Sequence, residues 1–169
     1  RGLGDVYKRQ VLRLMHRRYD AALFAHKVEL IKEKMPHAFI GVDVMVGCRG
    51  ETPDCFEECR SFIEGLDVTQ LHVFPYSERP GTAALSIPYV VDDKEKKRRV
   101  HELLELSDQK TRAFYARHAG TEQEVLLEKS ASGKAMHGFT RNYVRVQLPE
   151  HLSKPEYDNE LLTVRIGDF

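Results

Sequence analysis

The chain has 169 residues, enough for one medium-sized domain or two small ones. Its 26 lysines and arginines balance its 26 aspartates and glutamates. This balance excludes strong attraction of the whole chain to nucleic acid or membranes, so any basic surface has to be local. No stretch is apolar enough to span a bilayer. We expect no signal peptide, and the odd number of cysteines, three, then favours a reducing, cytoplasmic setting.

The first ten residues, RGLGDVYKRQ, back-translate codon by codon to a widely used transposase sequencing adapter. We interpret this segment as a library artefact joined to a truncated reading frame, rather than as a native basic leader. This interpretation predicts that the natural amino-terminal part of the protein is missing.

Residues 20–36 have the pattern of an amphipathic helix. Asp20 is the predicted N-cap, and Pro36 ends the helix. We expect one face of this helix to pack on a core, because its apolar residues recur at helical spacing. The residues of this face are Phe24, Val28, Ile31 and Met35.

A parallel βαβ unit is predicted for residues 39–81. The run 39–47, FIGVDVMVG, is apolar enough for a strand covered on both sides or a barrel wall, and LHVFPYS is a second strand with Pro75 near its end. Between them, Thr52 and Pro53 fit the N-cap and first residue of a helix. Such units bind ligands at the carboxyl ends of their strands. The candidate residues there are Gly47, Arg49, Gly50, Glu51, Tyr76, Ser77, Glu78 and Arg79.

Other polar residues of this unit leave alternatives open. Asp43, inside the first strand, either contacts a ligand or is paired with a neighbouring element. His72, inside the second strand, is more typical of a wall residue than of a base. Cys48, Cys55 and Cys59 have no histidine or further cysteine at ligand spacing, so we expect Cys59 to pack in the core and no metal to bind these cysteines.

The carboxyl-terminal part predicts a long helix and then a small antiparallel β-barrel. Asp92 and Asp93 precede the helix, and Gly120 marks a change in composition that we interpret as a domain boundary. Three strand-like segments follow, EVLLEK, GFTRNYVRVQLP and ELLTVRIGDF, separated by Ser, Gly, Pro and Asn clusters. Because the sequence stops straight after the third segment, an incomplete barrel is also compatible with the pattern.

The middle segment of this barrel alternates between two faces. Aromatic rings and arginines on an exposed face suit RNA, because rings stack on unpaired bases and guanidinium groups meet phosphates. Acidic residues outnumber basic ones from Gly120 onward, so RNA binding has to rest on one patch. The inner residues are Val144, Val146 and Leu148, and the outer ones are Phe139, Arg141, Tyr143 and Arg145.

Four motifs resemble the radical S-adenosylmethionine methylthiotransferases: GVDVMVGCRGETPDCFEE, LHVFPYSERPGTAA, the FY pair at 114–115, and GFTRNYVRV. Within that family, HVFPYSERPGT is most similar to the branch that methylthiolates threonylcarbamoyladenosine at C2, beside the anticodon of tRNA. The resemblance implies an α/β fold: the carboxyl-terminal part of a partial (β/α) radical-SAM barrel at 11–92, a connecting helix at 93–119, and a small β-barrel called TRAM at 120–169, which binds the tRNA anticodon stem-loop.

The resemblance also implies a site and cofactors. S-adenosylmethionine would be cleaved at a 4Fe–4S cluster held by a C-x-x-x-C-x-x-C loop, and a further 4Fe–4S cluster would supply the auxiliary site. The cysteines of this chain have the wrong spacing for either cluster, so we expect it to be inactive alone. The family turn GFPGET reads GCRGET here, with Cys48 and Arg49 as departures. The implied cofactor contacts are Asp43, Gly47, Gly50, Glu51, Val73 and Tyr76.

Three functions stay open from the sequence. The first is the threonylcarbamoyladenosine enzyme, expected to be monomeric and cytoplasmic. The second is a methylthiotransferase for another tRNA adenosine or for a ribosomal protein. The third is a non-catalytic RNA-binding protein that uses the β-barrel alone.

Overall fold

A computed structural model describes residues 21–128, 130 and 134–167. The adapter-like segment 1–10 and the predicted N-cap Asp20 therefore lie outside the described residues. The chain divides into two compact units, Arg1–Thr111 and Arg112–Phe169. The predicted three-part division into 11–92, 93–119 and 120–169 stays a prediction. In the described part of the chain, no helix has the length and apolar character needed to cross a membrane.

The first unit is a parallel strand pair with helices. Its predicted βαβ core is confirmed, because β1 and β2 pair in parallel, with Val44 opposite Val73. Pro75 ends β2, as the sequence predicted, since proline cannot donate to a central ladder. The elements in chain order are α1 (Ala21–Lys34), β1 (Gly41–Val46), α2 (Pro53–Gly65), β2 (Gln70–Pro75), a 3₁₀ helix (Ala83–Ser86) and α3 (Asp93–Ala116), which continues into the second unit.

Helix α2 begins as the sequence predicted. Thr52 is its N-cap: the threonine hydroxyl accepts a hydrogen bond from the Cys55 amide at 3.3 Å, and Pro53 occupies the first turn. The predicted core position of Cys59 is confirmed as well. In α1, Val28 is buried, but the predicted face is shorter than expected, because the helix ends at Lys34 and Met35 is exposed.

All three helices pack on one face of the strand pair. Their buried side chains meet the strand residues whose side chains point to that face. Strand residues alternate between faces, so the opposite face carries Asp43, Met45, His72 and Phe74. His72 and Phe74 are exposed there, while Asp43 and Met45 are half-buried. Of the two predicted alternatives, a strand covered on both sides is not observed in the described part of the chain, and a barrel wall stays a prediction.

The core of the first unit combines residues of five elements. From the strands come Val42, Val44, Val46 and Leu71, and from the helices Val28, Phe56, Cys59, Ile63, Leu103 and Leu106.

The second unit contains a small antiparallel sheet. Its strands are β3 (Glu122–Glu128), β4 (His137–Thr140), β5 (Arg145–Gln147) and β6 (Leu161–Arg165), and their order in the sheet is β5-β4-β3-β6. Within the described residues, β5 and β6 are the two edges of an open sheet, so the predicted β-barrel is not closed there.

The predicted middle strand is a β-hairpin. Residues 141–144 form a turn between β4 and β5, so GFTRNYVRVQLP contains two strands rather than one. The amide of Tyr143 donates to the Thr140 carbonyl at 3.0 Å, and the Thr140 amide donates to the Val144 carbonyl at 3.0 Å. The predicted faces nevertheless hold: Val144 and Leu148 are buried, and Val146 packs against the core of this unit.

We expect Gly138→Ala to destabilise the second unit. Gly138 is buried in the central strand β4, where an added Cβ would overlap the Leu126 carbonyl oxygen and lie 2.8 Å from Val125 Cγ1. Overpacking of this kind costs about 1–3 kcal/mol of unfolding free energy, measurable by urea denaturation. Gly167→Ala is the matched control, because nothing lies within 4 Å of its added Cβ. Equal unfolding free energies for the two variants would contradict the packing described.

Candidate cofactor and RNA-binding sites

The turn that follows β1 is built around two glycines and a buried carboxylate. Gly47 and Gly50 have φ angles of 77° and 83°, which favour glycine. Glu51 is 0% exposed. Its carboxylate accepts the Gly47 amide at 3.0 and 3.1 Å and the Cys48 amide at 3.3 Å. The side chain of Glu51 therefore fixes the backbone of its own turn.

Arg99 of α3 neutralises this buried carboxylate. The arginine is also 0% exposed. Its Nη1 donates to Glu51 Oε1 at 2.5 Å and to the Glu51 carbonyl at 3.0 Å, while Nε donates to Glu95 Oε1 at 2.8 Å. Its guanidinium carbon lies 5.1 Å from the centre of the Phe56 ring. The helix thus holds the turn through a buried ion pair.

Arg99 and Glu95 stabilise each other's charged form. Burial alone would lower the pKa of Arg99, but hydrogen bonds to Glu95 and Glu51 outweigh burial and raise the pKa above its ordinary value. The hydrogen bond from Arg98, with further help from Arg99, lowers the pKa of Glu95 from 4.5 to about 2. Glu95 and Arg99 therefore stay ionised at neutral pH.

Arg49 connects the same turn to the loop that follows β2. Its Nε donates to Glu78 Oε1 at 2.6 Å, and its Nη1 donates to the carbonyls of Leu85 and Ile87 at 2.9 and 3.2 Å. The hydrogen bond from Arg49 lowers the pKa of Glu78. The Gly50 amide adds a hydrogen bond to the Tyr89 carbonyl at 2.9 Å. Arg49, which departs from the family turn, thus hydrogen-bonds the turn to the segment that follows β2.

The structure brings together four of the six residues implied as cofactor contacts. Gly47, Gly50 and Glu51 form the turn, and the Tyr76 amide, just beyond β2, donates to the carbonyl of Val46, the last residue of β1, at 2.7 Å. Cofactor binding at these positions stays a prediction.

The other two implied residues, Val73 and Asp43, lie within the strands on opposite faces. Val73 packs against the core. Asp43 lies opposite His72 in the strand register, on the other face of the pair, and shares that face with two exposed side chains, His72 and Phe74.

Lys96 occupies the space beside Gly47. A Cβ added at Gly47 would overlap Lys96 Cγ, and the absence of a side chain at this glycine leaves room for that contact. Glycine at this position therefore allows packing against α3, while ligand binding at Gly47 stays a prediction. Neither Lys96 nor Arg99 was predicted, because both are more than forty residues away in a run of similar charged residues, KEKKRR.

The cysteines present do not fit an iron–sulfur cluster. Cys48, Cys55 and Cys59 are all buried. Cys55 Sγ lies 3.2 Å from the Thr52 hydroxyl, its hydrogen-bond partner. Among the described residues, no group of three or more His, Cys, Asp or Glu side chains is arranged to hold a metal ion.

The outer face of the antiparallel sheet presents an apolar row that ends in arginine. In the strand register, Leu161 lies opposite Leu126, Leu126 lies opposite Phe139, and Phe139 lies opposite Arg145. Both leucines are exposed. The alternating pattern of β3 was a signal for Leu126, but sequence reasoning named only the middle segment and missed both leucines.

Three of the predicted RNA-binding residues, Arg141, Tyr143 and Arg145, are exposed, and Phe139 is half-buried. Tyr143 is 64% exposed with a φ of 63°, and its ring centre lies 6.4 Å from that of Phe139. Arg141 Nη2 donates to Glu124 Oε2 at 2.6 Å. RNA binding at these four positions stays a prediction.

A buried histidine supports the hairpin turn. His118 Nε2 lies 2.9 Å from Asn142 Nδ2, and Nδ1 lies 2.9 Å from the Phe114 carbonyl. Since the amide nitrogen of Asn142 can only donate, Nδ1 carries the proton and donates to that carbonyl. Thr140 completes the network by donating to Asn142 Oδ1 at 2.7 Å and accepting the Val144 amide at 2.9 Å.

Comparison with known proteins finds relatives that match most of the chain. Threonylcarbamoyladenosine tRNA methylthiotransferase MtaB of Bacillus subtilis is 36% identical over 140 residues, covering 80% of this chain and 31% of the relative. The protein of that name from Aquifex aeolicus is 35% identical over 118 residues, covering 70% and 29%. The tRNA-2-methylthio-N(6)-dimethylallyladenosine synthase of Thermobifida fusca is 37% identical over 161 residues, covering 95% and 32%.

The chain spans about a third of the length of the curated relatives it matches. No family model matches it. The relatives nevertheless agree with the resemblance of the four motifs, and their names describe one chemistry on tRNA. By these relatives, the chain belongs to the radical S-adenosylmethionine methylthiotransferase family.

Proposed function

We propose that this chain is part of a tRNA methylthiotransferase that acts on C2 of threonylcarbamoyladenosine beside the anticodon. The observation that carries the proposal is the match of most of the chain to relatives named for this reaction. The motif HVFPYSERPGT favours the same substrate. A dimethylallyladenosine substrate is the second candidate, because a relative with that name is 37% identical.

The one-sided packing of β1 and β2 supports a place in a (β/α) barrel. Helices cover both faces of a doubly wound parallel sheet, whereas in a (β/α) barrel they cover only the outer face. Here α1, α2 and α3 all contact a single face of the strand pair. We propose that the other face, with Asp43, His72 and Phe74, is part of the inner wall of a partial barrel.

This inner face fits the adenosyl part of S-adenosylmethionine. An exposed ring, Phe74, suits stacking on adenine, and the half-buried carboxylate of Asp43 suits hydrogen bonds from ribose hydroxyls or an amino group. The 47–51 turn and Tyr76 border the carboxyl ends of the same strands. When bound, S-adenosylmethionine supplies the radical and the methyl group, and these residues bind and orient it. The cysteines of this chain lack the C-x-x-x-C-x-x-C spacing of the cluster loop, so we propose that the chain is inactive alone.

The second unit is proposed to contact the tRNA as a TRAM-like module. The row from Leu161 to Arg145 offers apolar surface for unpaired bases, and Tyr143 stands beside it. Arg145 supplies a cation, while Arg141 has to leave Glu124 before it can meet a phosphate. A tRNA substrate is consistent with a cytoplasmic, monomeric enzyme, which we include in the proposal.

Loss of the gene that encodes this chain should remove 2-methylthio-threonylcarbamoyladenosine from tRNA. The measurement is mass spectrometry of nucleosides from a deletion strain and from the same strain carrying the intact gene. Unmethylthiolated threonylcarbamoyladenosine should accumulate in its place.

The other outcomes of the nucleoside measurement separate the alternatives. Loss of the methylthio group from dimethylallyladenosine would assign the second substrate. Unchanged methylthio-nucleosides, together with tight RNA binding by the chain, would contradict a methylthiotransferase and favour a non-catalytic RNA-binding protein. A ribosomal protein lacking methylthiolation would point to a protein substrate.

Tyr143→Gly should stabilise the second unit and weaken RNA binding. Glycine relieves the positive φ of 63°, which raises the unfolding free energy by about 1 kcal/mol. Removal of an exposed ring that stacks on a base costs about 1–3 kcal/mol of binding. The measurements are urea unfolding and titration of the 169-residue chain with an anticodon stem-loop RNA.

Arginine variants complete this test. Arg141→Ala and Arg145→Ala should weaken binding and flatten its dependence on salt, because fewer phosphates are neutralised. Lys154→Ala is the control, since Lys154 lies outside the sheet and contacts Glu156 and Tyr157. A salt dependence unaltered by both hairpin substitutions would count against RNA binding at this face.

A further inference from the structure

We infer that Arg99 is a positioning residue that sets the geometry of the 47–51 turn for the adenosyl cofactor. The inference rests on the proposed function for the identity of the ligand. Its structural part, that Arg99 controls the backbone of the turn, stands on contacts within the first unit.

Arg99 acts on the backbone of the turn through the carboxylate of Glu51. Glu51 accepts the Gly47 amide with both carboxylate oxygens and the Cys48 amide with one of them. Arg99 holds Glu51 at two points, the carboxylate and the carbonyl of the same residue. Because Arg99 Nη1 donates both to Oε1 and to the backbone carbonyl oxygen of Glu51, the guanidinium fixes the side chain and the backbone of Glu51 together. A shift of Arg99 would therefore move the amide of Gly47.

Burial makes this arrangement depend on Arg99. Glu51 and Arg99 are both 0% exposed. Without the guanidinium, the carboxylate would lie unpaired in a dry site, which is costly unless it moves to water or takes up a proton. Either change would remove or weaken the acceptor that holds the Gly47 amide.

The ion pair is not optimised for stability alone. Arg99 Nη2 is buried and has no hydrogen-bond partner among the described residues. An orphaned buried donor destabilises a fold, and residues of this kind need an explanation other than stability. Control of a turn at the carboxyl end of β1 is such an explanation.

Lys96 gives the same helix a second contact with the turn. Its stem fills the space beside Gly47 that a side chain would occupy, and its Nζ lies 3.5 Å from Asp93 Oδ1. The first turns of α3 thus meet the 47–51 turn twice, through Lys96 at Gly47 and through Arg99 at Glu51.

Residue-resolved amide hydrogen exchange of the 169-residue chain tests the structural part. In Arg99→Met, protection at Gly47 and Cys48 should fall about tenfold or more, while protection in the β1–β2 ladder, at Val44 for example, is retained. Arg98→Met is the matched control, because Arg98 is the exposed neighbour on the same helix and pairs with Glu95 and Glu102. Unchanged protection at Gly47 in Arg99→Met would overturn the inference.

If Arg99→Met loses protection from exchange in the β1–β2 ladder as well, Arg99→Lys provides the test. Lysine keeps a buried cation but lacks the planar fork of arginine. The inference requires that Arg99→Lys restores protection in the ladder and leaves the Gly47 and Cys48 amides exchanging about tenfold faster than in the unsubstituted chain. Full protection of both amides in Arg99→Lys would overturn it.

Calorimetric titration with S-adenosylhomocysteine tests the link to the cofactor. Arg99→Met should weaken binding about tenfold or more, and Arg98→Met should bind as the unsubstituted chain does. Equal affinity of Arg99→Met and the unsubstituted chain would overturn the link. If the unsubstituted chain binds no S-adenosylhomocysteine, the proposed cofactor site fails, while the exchange measurement still decides the role of Arg99.

Discussion

The buried ion pair between Glu51 and Arg99 is the interaction on which the candidate cofactor site depends. Buried charges persist only when they are paired and hydrogen-bonded. Glu51 meets this condition with two amides of its own turn and with Arg99. The pair therefore joins the carboxyl end of β1 to α3, and it makes the shape of the turn a property of the whole first unit.

The second unit uses a different device for its exposed face. Hydrogen bonds among His118, Asn142 and Thr140 hold the hairpin turn from the buried side. This support keeps Tyr143 in a left-handed conformation that disfavours a large side chain. The strain presents the ring beside the apolar row on the outer sheet face, where a stacking surface for RNA is proposed.

Local patterns in the sequence predicted much of the first unit. Helical spacing, the Thr52 cap and the apolar strands located the βαβ unit, because those signals act within a few residues. The hairpin at 141–144 was missed, since Tyr143 takes a conformation that the period-two pattern does not indicate. Arg99 was missed for another reason: its partner is 48 residues away, and nothing in KEKKRR separates a buried arginine from a solvated one.

A double-mutant cycle on Glu51 and Arg99 tests the central claim most directly. The quantity is the free energy of unfolding of Glu51→Gln, Arg99→Met and the double variant. Each single change leaves a buried group without its partner and should cost about 3–5 kcal/mol. The double variant should be more stable than the sum of the single costs implies, with a coupling energy above about 2 kcal/mol. Additive costs would contradict the account, because they would mean that the two side chains stabilise the turn independently.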